Sequence, residues 1–422
     1  MRRPRVQDFE SIRIKENTMT VADETSRTEV GTAKILRLDE VNTVESGPGE
    51  HFALYDQLRE QARMHPGVAG AEDHPFWIVS EMEDMLRCFQ DPEVFSSSAV
   101  TPAEPDPPYL WIPEMLDGKR HQRWRQLLGP FFAPGAVAKL KPRVHEVMTE
   151  ILDDVADRGE CDYVADVALR FPNTVFMEIM GLPVADAAQF QVWETAILHG
   201  GSSPEIAMKG MMDVMGYFSA LVQERRKQPR EDMLSAALTW RIEDEPVSDD
   251  DLLAFCLLMF MAGLDTVAAQ LSYSTYHLAK HPDDRRRLNE NPDLWPAAIE
   301  EFLRYYSFVS PGRKAMADAE VGGCPVKAGQ MVWLPLASAN RDPKEFVDAD
   351  RVVIDREENR HLAFGAGPHR CLGSHLARQE LFIGLTEWHK RIPDYELNPS
   401  VPITEHGGQV GLDNLPLRWN IG

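Results

Sequence analysis

A single cysteine, Cys371, stands in the segment Phe364–Gly373, F-G-A-G-P-H-R-C-L-G, with a helical pattern starting directly behind it. The other cysteines, Cys88, Cys161, Cys256 and Cys324, are scattered without paired spacing. Neither a disulfide framework nor a four-cysteine zinc site has support from such spacing. Apolar residues at Leu372, Leu376, Leu381, Ile383 and Leu385 carry helical spacing from Leu372 through Ile392. The thiol therefore falls near a helix N-terminus, where exposed amides and the helix dipole favour an ionised sulfur. Gly365, Gly367 and Gly373 allow tight turns that bring backbone N–H groups to the sulfur, and Phe364 can wall the loop with its ring.

A lone cysteine is most often a small buried apolar residue. A dinucleotide-binding G-x-G loop is excluded, because the third glycine is missing at its offset and the preceding stretch is too polar for a central strand. One thiolate presented by a glycine-rich loop suits an axial ligand to haem iron.

Around this loop the chain reads as mainly α with a small β region. Proline or aspartate followed by amphipathic runs predicts helices near 50–64, 80–90, 118–132, 135–157, 162–180, 184–198, 204–227, 231–240, 248–280, 283–290, 295–306 and 372–391. Strand-like segments lie at Phe76–Ser80, Arg313–Ala317, Val332–Leu336 and in the tail. No low-complexity linker divides the interior, so residues 49–422 are expected to form one domain behind a flexible, polar arm, residues 1–48. The arm opens M-R-R-P-R without an apolar stretch behind it, a poor signal peptide, and Met19 is an alternative start.

The longest apolar run, Leu252–Leu264, is shorter than the roughly 18–20 residues that span a bilayer, which predicts a buried helix without a membrane anchor. Scattered cysteines fit a reducing compartment and a cytoplasmic protein. A formal net charge of −23 argues against nucleic acid or an anionic membrane surface as partner.

Gly263 lies inside the predicted helix 248–280, where glycine costs about 1 kcal/mol relative to alanine. Thr266, four residues after Ala262, can bond the Ala262 carbonyl and distort the helix, with Gly263 leaving space for dioxygen and water beside the distortion. Asp265 would then supply a proton source in an apolar wall. Taken without context, the same stretch reads as an ordinary kink. Glu301 and Arg304 share one face of a helix opened by Pro296, amid Ile299, Phe302 and Leu303. A haem presents two propionates, and His121, Arg125, Arg313 and His369 are candidate partners from separate segments. Each of these, alone, reads equally well as a solvated surface charge.

Together these motifs resemble the cytochrome P-450 family, whose cysteine loop follows F-x-x-G-x-x-x-C-x-G. Phe364, Gly367, Cys371 and Gly373 fill its fixed positions and His369 its basic one, and three further motifs in the correct order extend the resemblance from about residue 50 onward. The resemblance implies the P-450 fold, with haem b between the long central helix and the cysteine-loop helix. It assigns Cys371 as axial ligand, and Ala262 and Gly263 to the haem-facing helix. Asp265 and Thr266 match the A-G-x-D/E-T element that relays protons for oxygen activation, whose presence favours reductive use of dioxygen over peroxide.

Glu301 and Arg304 match the structural E-x-x-R pair, which needs a later arginine; Arg351 is the candidate and Arg356 the reserve. His121 and Arg125 match H-x-x-x-R, although Asp117-Gly118-Lys119-Arg120 replaces the usual Pro-Pro-Glu before it. Arg313 matches the arginine beyond the E-x-x-R helix.

The resemblance further implies a soluble bacterial-type monooxygenase. No flavin or iron–sulfur segment follows the haem loop, so electrons from NAD(P)H would arrive through a separate ferredoxin or flavodoxin with its reductase. Lys119, Arg120, Arg123 and Arg370 could form a basic docking patch, or an ordinary mixed-charge surface. The family's variable pocket segments correspond to Ser97–Trp111, His199–Pro204, the helix near Phe260, Phe308–Pro311 and Gln409–Leu412. Their apolar content, including Tyr109, Leu110, Trp111, Leu198, Phe308 and Val309, predicts a hydrophobic small-molecule substrate. The methionines around the pocket, Met177, Met180, Met208, Met211, Met212, Met215, Met259 and Met261, read better as core than as an adaptable lid. Rival readings are a haem-thiolate peroxygenase, isomerase or dehydratase, and a haem sensor or carrier without chemistry.

Overall fold

A computed structural model describes residues 35–38, 48–198 and 204–421. The N-terminal arm otherwise lies outside the described residues, as do 199–203 of the expected pocket turn. Residues 35–38 correct the arm's expected boundary. Leu36–Arg37 forms a strand, β1, paired in parallel with Gly67–Val68, and Leu38 is buried.

The sequence-predicted helices recur with small changes at their ends. They are α1 (Glu50–Gln61), α2 (Met82–Gln90), α3 (Gly118–Phe132), α4 (Pro134–Val155), α5 (Arg170–Met180), α6 (Ala187–Leu198) and α7 (Pro204–Lys227). Then follow α8 (Met233–Ala237), α9 (Asp249–Leu264), α10 (Thr266–Lys280), α11 (Pro282–Glu290) and α12 (Trp295–Tyr305). The cysteine-loop helix α14 (Ser374–Arg391) is the last of these, and a short α13 (Leu336–Asn340) before it stands where the sequence predicted no helix.

The differences have local causes. The predicted helix 50–64 stops at Gln61 because Met64–Ala69 leaves as strand β2. Pro66 and Gly67 in that segment disfavour helix and are tolerated in a strand near a sheet edge. The predicted helix 162–180 opens instead as a strand, Glu160–Asp162, and a π turn, Val164–Ala168, before α5.

The main sheet has the order β1, β2, β3 (His74–Val79), β6 (Met331–Trp333), β5 (Gly312–Ala315), β4 (Phe95–Ser96). β6 runs parallel to β3 and antiparallel to β5, with Val332 opposite Arg313. This register fixes Arg313 on a central strand with its side chain buried.

The centre of the fold is the α9–α10 pair. Ser248 caps α9 by accepting from the Asp251 amide at 3.1 Å, and Asp249, Asp250 and Asp251 complement the helix dipole. Beyond this turn the sequence is apolar on nearly every face, which suits a helix enclosed on all sides. By length and composition Asp249–Lys280 could cross a membrane, but 72% of its apolar window is buried inside the fold. α10 packs on α14, and α14 on α4, so the cysteine loop is held by the same core as the central helix.

Candidate functional site

The cysteine loop is fixed from behind by its backbone. Gly367 has φ of +68°, and a Cβ built there would fall 2.1 Å from the Phe89 carbonyl oxygen of α2. Only glycine permits both the conformation and that approach. The Cys371 amide donates to the Phe364 carbonyl at 2.8 Å. Phe364 walls the loop as expected: the Arg378 guanidinium lies 4.4 Å from its ring centroid. Arg378 is in turn clamped by Glu300 at 2.6 and 2.7 Å, and Glu300 also receives His361 at 3.0 Å. Burial opposes ionisation of Glu300, yet these two partners hold its carboxyl down to about 2. Sequence reading missed Glu300, His361 and Arg378, whose spacing carries no motif.

Cys371 is exposed to a cleft lined by Arg125, Phe132, Pro134, Arg370 and His375. The cleft is surrounded by protein, so desolvation still pushes the bare thiol up; the Gly373 amide and Arg125 pull it the other way. α14 starts at Ser374, three residues beyond Cys371, and the expected help from exposed amides comes from Gly373, against the larger effect of desolvation. Gly373 serves through its amide, since its φ of −78° is open to any residue. A metal ion would supply what the loop lacks, because a coordinating thiol loses its proton outright.

Across the central helix the structure bears out the expected distortion. The ladder is interrupted at Asp265, which separates α9 from α10, and Thr266 Oγ1 donates to the Ala262 carbonyl at 3.2 Å. Asp265 is buried, whereas Ala262 is exposed in the middle of an otherwise enclosed helix. A Cβ at Gly263 would lie 2.2 Å from the Phe176 ring of α5, so this glycine admits a neighbouring side chain on that side.

Three of the four expected cations converge. The rings of His121 on α3 and His369 stack at 4.0 Å, and Arg313 is buried with Glu114 at 3.9 Å and Asp117 as countercharges. His369 Nε2 lies 3.1 Å from Asp117, which also accepts from Ser96. Burial would raise Asp117, but these hydrogen bonds hold its carboxyl below the usual range. Desolvation, with His369 and Arg125 nearby, drives His121 down to about 4. Arg125 diverges from His121 and donates to the Arg370 carbonyl at 2.7 Å, on the cysteine side.

These groups fit the carboxylate edge of a haem. His121 Nδ1 and His369 Nδ1 are buried without a hydrogen-bond partner among the described residues, beside the buried guanidinium of Arg313. A buried guanidinium of that kind requires an acceptor, and anionic carboxylates supply one.

Glu301 and Arg304 are fully buried and bonded twice, at 2.8 Å each. Their later arginine is Arg356, whose Nε donates to Glu301 at 2.9 Å, and Asn359 adds a bond at 3.1 Å. Arg351 is corrected: its side chain is exposed and pairs with Asp348, and only its carbonyl enters the network, accepting from Arg304 at 2.8 Å. The turn that bonds the Arg356 amide to the Val353 carbonyl carries Arg356 back to Glu301.

Backbone hydrogen bonds lie at the ends of the expected pocket segments. Gly312 donates to Val100, Ile112 to Ala254, and Gln409 to Leu198. Tyr109 and Trp111 stack at 5.2 Å. Phe308 belongs instead to the buried core, stacked on Tyr273. Met177, Met180, Met259 and Met261 are core, Met211 packs against it, and Met208, Met212 and Met215 are exposed on α7. Lys119, Arg120, Arg123 and Arg370 are all exposed, but Arg120 is engaged by Asp251, and Glu243 and Asp244 lie among the first three.

Comparison with known proteins decides the family. The cytochrome P450 family model matches residues 204–391. A probable cytochrome P450 127A1 of Sinorhizobium fredii is 34% identical over 346 residues, which cover 81% of this chain and 83% of the relative. The chain belongs to the cytochrome P450 family. Mycinamicin IV hydroxylase/epoxidase of Micromonospora griseorubida is 32% identical over 82% of this chain and 86% of its own. The crystal structure of the myxobacterial cytochrome P450 CYP267B1 with myristic acid superposes with a TM-score of 0.83 at 31% identity, covering 91% of this chain and all of that one.

The P450 fold expected from the cysteine loop is therefore present, and the protein is a haem-thiolate monooxygenase. As in other bacterial P450s, it takes a small-molecule substrate and is supplied by redox partners.

Proposed function

We propose that this P450 inserts one atom of dioxygen into a hydrophobic small molecule, with the second atom leaving as water and two electrons and two protons consumed. The observation that carries this reading is the helix break at which Thr266 bonds the Ala262 carbonyl beside buried Asp265. Bound through Cys371, the haem supplies the reductive splitting of dioxygen. His121, His369 and Arg313 hold its propionates, and Arg125 steadies the cysteine loop through the Arg370 carbonyl. Asp265 carries protons inward, and the Thr266 hydroxyl positions them at the exposed Ala262 turn. Cys371, Phe364 and the Gly373 amide set the sulfur's electron donation. Tyr109, Trp111 and Val309 orient an apolar substrate.

Electrons come from NAD(P)H through an acidic ferredoxin- or flavodoxin-type donor. Arg125, Arg370 and His375 around the cysteine cleft, with exposed Lys119 and Arg123, favour such a donor on an otherwise acidic protein. Scattered free cysteines support a cytoplasmic enzyme.

The test is turnover under isotopically labelled dioxygen, after a compound screen for the low-spin to high-spin change. One labelled oxygen atom in the product supports monooxygenation; an unlabelled or isomerised product overturns it.

A further inference from the structure

His277 and His281 stand four residues apart at the C-terminal end of α10, and the His281 amide donates to the His277 carbonyl at 2.9 Å, so the helical turn continues through His281. This spacing puts both imidazoles on one face, with ring centroids 4.3 Å apart. Pro282 opens α11 at its first position, and Asp284 in the first turn of α11 comes back to the same corner. His277 Nε2 lies 3.3 Å from Asp284 Oδ2, and one ligand atom from each of the three side chains falls within 4.8 Å of the other two.

Two imidazoles and a carboxylate form a donor set for a late first-row divalent cation, whereas calcium and magnesium take oxygen ligands. The geometry suits zinc. Bonds of about 2.0–2.1 Å in a tetrahedral site set neighbouring ligand atoms about 3.3 Å apart, and His277 Nε2 and Asp284 Oδ2 already stand at 3.3 Å. His281 is exposed and its ring makes no hydrogen bond among the described residues, so a turn of that ring brings in the third ligand. His277 is buried and held from behind, with Nδ1 at 3.1 Å from the hydroxyl of Tyr306, the residue that caps α12. That contact leaves Nε2 as the ligand atom, in the way outer hydrogen bonds orient metal-binding imidazoles.

The surrounding charges leave the carboxylate to a cation of its own. Arg285, Arg286 and Arg287 pair with Asp394, Asp283 and Asp355, whereas the ion pair of Asp284 is with His277. The cluster lies roughly 16 Å along α10 from Thr266, at the opposite end of the helix from the break.

We propose that His277, His281 and Asp284 bind one zinc ion, with water in the fourth position, and that the ion staples the end of α10 to the start of α11. The site goes beyond the monooxygenase reading and does not depend on it.

The test titrates the haem-loaded enzyme, freed of loosely bound metal by a chelator, with zinc chloride at neutral pH. Elemental analysis after dialysis reads bound zinc, and thermal melts read stability. One zinc per chain is expected above the uptake of His281→Ala, and a melting temperature raised by a few degrees at about a hundred-fold excess of zinc over its dissociation constant. His281→Ala, at an exposed position, and Asp284→Asn should each weaken zinc binding by at least about ten-fold, the loss typical of an outer partner and a lower bound for a ligand. A parent protein that takes up no zinc overturns the site and leaves a hydrogen-bonded corner only. Binding that survives either substitution also overturns it, because the metal then sits elsewhere or lacks that ligand. Calcium chloride that displaces the zinc at equal concentration overturns the nitrogen-ligand assignment.

Discussion

The ring of Phe176 fills the volume into which a side chain at Gly263 would project, 2.2 Å from the position of a Cβ. The glycine of the central helix is thus explained by the packing of α5 on α9. Gly263→Ala should destabilise the fold by about 1–3 kcal/mol through overpacking. Phe176→Leu, which leaves room, should recover part of that loss in the double variant. Thermal melts of the four proteins measure the coupling; strictly additive effects would contradict the contact.

Thr266→Val keeps the shape of the side chain and removes the hydroxyl that bonds the Ala262 carbonyl. Loss of the proton-positioning group should leave haem and substrate binding within about two-fold and divert reducing equivalents from product to hydrogen peroxide. A drop of ten-fold or more in coupling is expected. Parallel assays of NAD(P)H consumed, peroxide released and product formed report it, and unchanged coupling would contradict the role of Thr266.

Arg356 and Arg351 should behave oppositely. Arg356→Ala leaves the fully buried Glu301 short of a partner and should cost about 3–5 kcal/mol. Arg351→Ala removes an exposed pair with Asp348 and should cost no more than about 0.5 kcal/mol. Denaturant unfolding of the two variants separates them directly.

That correction illustrates what could be read from residues alone. Helix positions were legible because apolar spacing and proline or aspartate starts are local signals, and the loop around Cys371 was legible because its glycines and phenylalanine have fixed offsets. The partner of Glu301 was not, since Arg351 and Arg356 are separated by one turn whose direction depends on tertiary packing. Glu194, Glu300 and Arg378 were also hidden. Each is an ordinary charged residue in its own helix, and only the neighbouring elements bury it or engage it in a clamp. The same reasoning covers Gly263, where the sequence signal was correct and its cause lay on α5.

Glu380 on α14 is buried, and desolvation pushes its carboxyl up to about 8. The folded state therefore keeps a proton that the unfolded chain releases near 4.5, so stability falls as pH rises from that value toward 8. The contribution at stake is on the order of 4–5 kcal/mol at full effect. Glu380→Gln should flatten this part of the pH–stability profile and raise the melting temperature most at pH 8. A variant whose profile matches the parent's would contradict the burial argument.

The central claim is that Cys371 holds haem iron as a thiolate while His121, His369 and Arg313 hold the propionate edge. The carbon monoxide difference spectrum of the reduced protein tests it most directly. The parent should show the strongly red-shifted Soret band of a thiolate-ligated haem, and Cys371→His should move that band to the position of an imidazole-ligated haem while retaining bound haem. A red-shifted band that survives the substitution would contradict the assignment.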